Sequence, residues 1–238
     1  MSHTAPARRS RTRRVALGVL AAALVALGLM QLVLPGIAAD RVRARVERYG
    51  TVLSAHVSAF PAVQLLWGHA QSASVRVRDI DIQPVQLVDL LWNARGVGSL
   101  DIVAEHLRVG PLSLVEATLR KRGSDIYAQG ELDSAQLRSL PGGLEVQPLE
   151  SAGGSVRVRA VGGLFGVRTA VQVLVRPLEG KLVAEPQGLP FAQFARVTLF
   201  SDRRLSIAAV AARARGRESG APPRQPSRWL VTLRARLE

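Results

Sequence analysis

The sequence predicts an α+β fold behind one transmembrane helix: a long antiparallel β-sheet, a leading amphipathic helix and short helices at strand ends. Three patterns predict it. An apolar run occupies Val15 to Leu34, apolar residues then recur at helical spacing as far as Phe60, and apolar and polar residues alternate from Ser74 onward. A period near 3.6 is typical of an amphipathic helix and a period of 2 of a half-buried strand.

The apolar run has the length of a membrane span. Its twenty residues extend about 30 Å as a helix, which matches the hydrocarbon core of a bilayer. A cleaved signal peptide usually has an apolar region of only ~7–15 residues, so a retained anchor is favoured. Ile37, Ala38 and Ala39 still offer a place where a signal peptidase could cut, and cleavage stays open.

The flanking charges set the orientation. Arg8, Arg9, Arg11, Arg13 and Arg14 precede the run, and such residues prefer the cytoplasmic side. The prediction is a single-pass protein of the cytoplasmic membrane with its C-terminal domain outside the cytoplasm. Its parts are a basic cytoplasmic tail at 1–14, a transmembrane anchor or uncleaved signal at 15–35, and an exported domain at 40–238.

The leading helix is predicted just after the anchor. Its apolar residues recur at steps of three or four, and Pro61 would end it. They are Val42, Val46, Tyr49, Leu53, Val57 and Phe60.

Strand patterns fill most of the remaining chain, and their short spacing favours antiparallel neighbours. Ser74 to Ile82 alternates, with a slip at Asp79 that predicts a β-bulge. Short helices are predicted to begin at Pro84, at Asp133 as N-cap, and at Leu189. Further strands are expected at Leu100–Val109, Leu112–Leu119, Asp125–Leu132, near Ser155, Thr169, Gly180 and Leu205, and at the C-terminus.

The chain is strongly basic, with a formal charge of +14, of which five charges lie in the tail. Three readings are open: a solvated basic face, attraction to anionic lipid head groups, and nucleic acid. The membrane segment and an aromatic content of 4% disfavour nucleic acid, because bases would find few stacking partners. We therefore expect no nucleic acid partner.

Motifs for catalysis are not found. The four histidines lack metal-ligand spacing, there is no cysteine, and no Gly-x-Ser-x-Gly elbow or phosphate-binding glycine loop occurs. Asp79 and Asp81 do not continue into a calcium loop. We expect no enzyme, no metal and no cofactor.

Two apolar clusters are the candidate site. Leu65, Leu66 and Trp67 form the first, and Leu87, Leu90, Leu91 and Trp92, with Val88, make a short helix apolar on nearly every side. Such a helix could be plain core. It could also offer a second face as the lip of a lipid groove or a patch that enters the membrane. On the lipid reading, Leu91→Asp should weaken lipid uptake and leave the fold intact.

Several segments resemble a family of bacterial envelope proteins. "ADRVRARVERYG" after the anchor, "FPAVQLLWGHAQSASVRVRDIDI", "PVQLVDLLWNARGVGSLDIVAEHLRVG", "YAQGELDSAQLRSL" and "LSIAAVAARARG" are similar to blocks of the LmeA-like phospholipid-binding family. The resemblance implies an exported, membrane-associated phospholipid-binding protein. It also implies a long curved antiparallel sheet wrapped on the N-terminal amphipathic helix, like the tubular lipid-binding folds.

The functional expectation is non-enzymatic binding, with transfer as an open question, of phospholipid at the outer face of the cytoplasmic membrane, in cell-envelope maintenance. Burying each CH₂ of an acyl chain contributes about 0.8 kcal/mol, so no covalent chemistry is needed. The alternative is a scaffold subunit of an envelope-assembly complex, which would use the same apolar patch for an envelope protein partner.

Overall fold

The computed structural model describes residues 36–44, 46–59, 70–138, 144–164, 167–188, 196–215 and 228–238. The predicted tail and membrane segment, residues 1–35, lie outside these ranges, as do the helix expected at Leu189 and the loop 216–227. Within the described ranges, no helix has both the length and the hydropathy to cross a bilayer.

Two β-sheets make up most of the described chain. Sheet 1 has the order β1-β2-β3-β4-β5-β12-β11, and sheet 2 the order β10-β9-β8-β7-β6. The strands of sheet 1 are β1 (Gly50–Ser58), β2 (Ala70–Ile82), β3 (Val97–Val109), β4 (Leu112–Arg122), β5 (Asp125–Asp133), β11 (Leu205–Arg215) and β12 (Arg228–Leu237). Those of sheet 2 are β6 (Glu145–Ala152), β7 (Ser155–Leu164), β8 (Val167–Leu178), β9 (Lys181–Gln187) and β10 (Val197–Phe200).

Three helices accompany the sheets in the described ranges. They are α1 at residues 36–44 and 46, α2 (Pro84–Asn93) and α3 (Ser134–Leu137). The predicted start at Pro84 is confirmed, as is Asp133 as N-cap of α3, since its carboxylate accepts the backbone N–H of Ala135 at 2.7 Å. The β2 bulge is confirmed by a register shift between the pairs Gly50–Ile80 and Val52–Val77.

The predicted leading helix is wrong beyond its first turns. Helical structure ends near Val46, and Gly50–Ser58 is strand β1. Gly50 lies so close to β2 that an added Cβ would overlap the carbonyl oxygen of Asp79. A second register shift, between Val52 and Ser54, breaks the alternation of β1. Its buried residues Val52 and Val57 are therefore five apart, and the period of 2 that marks a strand is lost.

One strand pair differs from the expected antiparallel order. β2 and β3 are parallel, with Ala70 opposite Val97. A parallel pair needs a crossover, and α2 supplies it by running back along the sheet. The strands therefore define two ends of sheet 1. The Ser58 end holds Ser58, Ala70, Val97 and Leu237, and the Gly50 end holds Gly50, Ile82 and Arg228.

The inner face of sheet 1 carries the main core. Val88 and Leu91 of α2 pack there on one cluster, core 1, whose buried members are Val57, Ala73, Val88, Leu91, Leu100, Ile126, Leu205, Ala235 and Leu237. A second cluster, core 2, joins Val52, Val75, Val77, Ala104 and Ala117. Helix α1 covers both, with Ala38 and Ala39 on core 1, Val46 on core 2, and Val42 on each.

The predicted fold class is therefore wrong. The described chain is mostly strand in two sheets, and no long N-terminal amphipathic helix is wrapped by a single curved sheet. The central helix of sheet 1 is the crossover helix α2, and α1 is a short element beside it. Part of the inner face is covered by sheet 2 rather than by a helix, through a cluster of Val156, Val158 and Val210.

Sheet 2 also closes an edge of sheet 1. β11 is the last strand of sheet 1, and its outer N–H groups donate to the turns of sheet 2. Ile207 N–H donates to Gly180 O and Val210 N–H to Gly154 O, each at 2.8 Å. The Ser151 hydroxyl accepts the N–H of Ala212 at 2.8 Å and donates to its carbonyl oxygen at 2.7 Å. An edge satisfied in this way is not open to another strand.

Candidate functional site: helix α2 and the Ser58 end of sheet 1

Helix α2 is held at both ends by backbone hydrogen bonds. Gln83 precedes it in an extended conformation, and its N–H donates to the Gln86 side chain at 2.9 Å. Pro84 occupies the first turn, where no backbone donor is needed. At the other end the Ala94 N–H donates to Leu90 O at 3.0 Å. The helix is therefore a fixed platform for its side chains.

The predicted site residues of α2 fall on different sides of the helix. Val88 and Leu91 are 1% and 3% exposed and belong to core 1. Leu87 and Trp92 are half-buried and pack against that core, and Leu90 is also half-buried.

The solvent side of α2 is more polar than the sequence suggests. Val85 is 60% exposed, but it is accompanied by exposed Gln86, Asp89 and Asn93. The prediction of a helix apolar on nearly every side is therefore wrong. The apolar surface open to a ligand lies at two margins of the buried face, with Leu87 and Leu90 on one margin and Trp92 on the opposite one.

An arginine lies on the aromatic ring of the Trp92 margin. The Arg95 guanidinium carbon is 4.9 Å from the Trp92 ring centroid. The same guanidinium donates to the Trp92 carbonyl oxygen at 3.4 Å. This cation–π contact places a positive charge directly beside an apolar surface at the C-terminal end of α2.

An ion-pair chain ties α2 to the turn before β11. Arg204 donates to Asp89 at 2.6 Å and to Asp202 at 2.9 Å. The Arg204 side-chain hydrogen bond holds the pKa of Asp202 below its ordinary value. Asp89 and Arg204 are 115 residues apart in sequence, so the chain joins distant segments at this end of the fold.

Lys121 is a buried cation that sequence reasoning missed. It lies on the inner face, 0% exposed, between Leu100 and Ile126 in the sheet register. Its ammonium donates to Val97 O at 2.6 Å and to Arg95 O at 3.5 Å. Burial lowers the pKa of this ammonium. Its contacts fix the turn after α2 to β4. The one feature of the sequence that could have singled out Lys121 is the rarity of lysine, since the chain has only two.

Helix α1 brings the chain in at the Ser58 end. Its first residues, Ala38 and Ala39, pack on core 1, while its last contact, Val46, lies on core 2. The Tyr49 carbonyl oxygen then accepts the Asp81 N–H at the Gly50 end. The start of α1, the first described residue after the predicted anchor at 15–35, is thus on the same side as the C-terminal end of α2.

The first predicted cluster cannot be placed. Leu65, Leu66 and Trp67 lie outside the described residues, in the segment between Ala59 and Ala70. The other four predicted site residues, Leu87, Leu90, Leu91 and Trp92, all belong to α2. Their proximity follows from the helix itself and is not evidence that the two predicted clusters meet.

Acidic groups in the described ranges do not gather into a metal site. No group of three or more His, Cys, Asp or Glu suited to a metal ion occurs in the described ranges. The most buried carboxylate there, Glu131, is paired with Arg215 and with Arg228, the latter at 3.2 Å. These partners neutralise Glu131 on the outer face of sheet 1.

Comparison with known proteins gives no match: no family model, no curated protein and no solved structure is similar to this chain. The resemblance to the LmeA-like family therefore stays a prediction.

Proposed function

We propose that the protein binds phospholipid without catalysing a reaction, at the outer face of the cytoplasmic membrane, with the Ser58 end of sheet 1 toward the bilayer. The observation that carries the proposal is the direct packing of α1 on the core. Ala38 and Ala39 contact core 1 only a few residues after the predicted anchor at 15–35. An anchored domain with so short a connection stays close to the membrane surface.

The two apolar margins of α2 support a lipid contact at this end. Leu87 and Leu90 share one margin and are half-buried, so an acyl chain laid along them would remove further apolar surface from water, worth about 25 cal/mol per Å². Trp92 is near the C-terminal end of α2, where an aromatic residue suits a membrane–water interface.

The charge beside Trp92 supports a phosphate contact. Arg95 lies over Trp92 with its guanidinium exposed, and a guanidinium can give a phosphate two parallel hydrogen bonds. The pair therefore offers an apolar wall and an anion-binding group side by side.

The test is lipid retention by matched variants. The full chain would be purified in detergent, washed, and extracted for mass spectrometry of phospholipids. We expect a stoichiometric phospholipid on the wild type, a strong loss in Leu90→Asp, and no loss in Leu149→Asp. Leu149 is 45% exposed on sheet 2 and controls for removing any surface leucine. A wild type that retains no phospholipid, or equal loss in both variants, contradicts the proposal.

A second function, a scaffold subunit that binds an envelope protein, is favoured by strand β10. It is an outer strand of sheet 2, and Val197 and Leu199 are 57% and 53% exposed on it. An exposed apolar edge can accept a strand from a partner. A photoreactive amino acid at position 197 in membranes would give a discrete protein adduct if this function holds.

A further inference from the structure

A cavity of about 220 Å³ lies at the Gly50 end, between α3, the strand pair β6–β7 and β12. Its walls include Trp229, Val146 and Gln147, and the charged residues Arg138, Arg159 and Glu145. Trp229 is buried against Leu132 and Leu137, so one wall is a fixed aromatic side chain. The cavity is at the opposite end of sheet 1 from the Arg95–Trp92 pair.

The charge balance of this cavity is positive. The acidic residue of the lining, Glu145, is neutralised by an ion pair with Arg168 at 2.8 Å. Arg138 donates to the Ser134 carbonyl oxygen at 3.2 Å, and neither Arg138 nor Arg159 has an ion pair within the described part of the chain. By contrast, Arg157, two residues along β7, is paired with Glu150 at 3.1 Å.

From this arrangement we propose that the cavity binds the phosphate group of a small phosphate ester. Two guanidinium groups without carboxylate partners can each present paired donors to phosphate oxygens. The Trp229 ring provides an apolar wall for the carbon part of the ester. The volume is below the ~300–1,000 Å³ of pockets for drug-sized ligands, which favours a small soluble ester over a phospholipid with its acyl chains.

The proposal does not rest on the proposed function, because the two sites are at opposite ends of sheet 1. The same phosphate chemistry also occurs in a lipid head group, so the experiment separates the two sources. The probes are inorganic phosphate, glycerol 3-phosphate, and vesicles of phosphatidylcholine containing phosphatidic acid.

The two soluble probes are titrated calorimetrically into the full chain in detergent micelles. The vesicles are tested by co-sedimentation with the full chain, with pure phosphatidylcholine vesicles as the reference. We expect saturable binding of glycerol 3-phosphate, weakened about tenfold or more in Arg159→Gln and in Arg138→Gln. Arg157→Gln is the matched control, since its side chain is engaged with Glu150, and should bind within about twofold of the wild type. If Arg159→Gln fails to fold, Arg138→Gln and Arg159→Lys serve in its place, with the lysine variant weakened by loss of the paired donors.

Three outcomes would overturn the proposal. The first is no saturable binding of either soluble probe. The second is equal weakening in Arg157→Gln and Arg159→Gln, which would mean general attraction to a basic surface. The third is a response of the wild type to the phosphatidic acid vesicles alone, with no binding of glycerol 3-phosphate, which would assign the charge to a membrane surface.

Discussion

Neighbouring leucines of α2 have different roles although the sequence gives them the same character. Leu91 is 3% exposed in core 1, whereas Leu90 is half-buried at the margin. The expectation that Leu91→Asp would leave the fold intact is hard to reconcile with this burial, because an unpaired carboxylate in the core is strongly destabilising. A test of lipid contact therefore belongs at Leu90.

The difference between these leucines can be measured. Leu91→Ala should lower the free energy of unfolding by about 2–5 kcal/mol, since it leaves a cavity in a packed core. Leu90→Ala should cost clearly less, because its site is partly solvated. Urea denaturation of both variants checks this, and equal losses would mean that α2 does not lie with Leu91 inward.

Lys121 gives a pH dependence with a definite sign. Burial lowers its pKa in the folded chain below the ordinary value of 10.5, so between those two values the unfolded chain binds more protons. The free energy of unfolding that Lys121 contributes therefore rises as the pH rises through this window. At pH values below this window Lys121 is charged in the folded chain, and the desolvation of its ammonium lowers the free energy of unfolding by its full amount.

The comparison variant is Lys121→Met, which cannot titrate. Urea denaturation near neutral pH and again close to pH 10.5 should show the wild type gaining stability relative to Lys121→Met at the higher pH. Parallel pH profiles for the two proteins would mean that the Lys121 ammonium is not desolvated.

At the scale of elements, local signals predicted some features well. Pro84 at the start of α2, Asp133 as the cap of α3 and the slip at Asp79 are each fixed by neighbouring residues. β1 could not be predicted as a strand, because its own register shift between Val52 and Ser54 hides the alternation. The parallel pairing of β2 with β3 depends on which strands meet in space, and no local pattern encodes that.

The junction of the two sheets also has a local test. Ser151→Ala removes the hydroxyl that joins β6 to Ala212 of β11, leaving both backbone groups of Ala212 without this partner. We expect a loss of about 1–3 kcal/mol in the free energy of unfolding and faster hydrogen exchange at Ala212. Ser155→Ala is the control, since its exposed hydroxyl only closes a turn to Ala152, and it should change stability by less than about 0.5 kcal/mol. Equal effects would contradict a structural role for the Ser151 bridge.

For the whole molecule, the sequence predicted the strands better than their assembly. The alternation of Val156 and Val158 in β7 is the same whether that strand extends sheet 1 or packs across it, so the second sheet could not be foreseen. The candidate site was predicted in part: α2 was found, but its polar solvent side and the Arg95–Trp92 contact depend on how the helix is rotated against the sheet. Lys121 occupies an inward position of β4, where the alternation predicts an apolar residue. Composition alone does not explain why a lysine is buried there.

Phospholipid contact at the Ser58 end is the central claim for the whole molecule, and photolabelling tests it most directly. The full chain would be placed in vesicles containing a phospholipid with a photoactivatable acyl chain, irradiated and mapped by mass spectrometry. The account predicts adducts on Leu87, Leu90 or Trp92 of α2, and none on Leu144 and Leu149, which are 38% and 45% exposed beside and on β6. Adducts on Leu144 and Leu149 with none on α2 would contradict it.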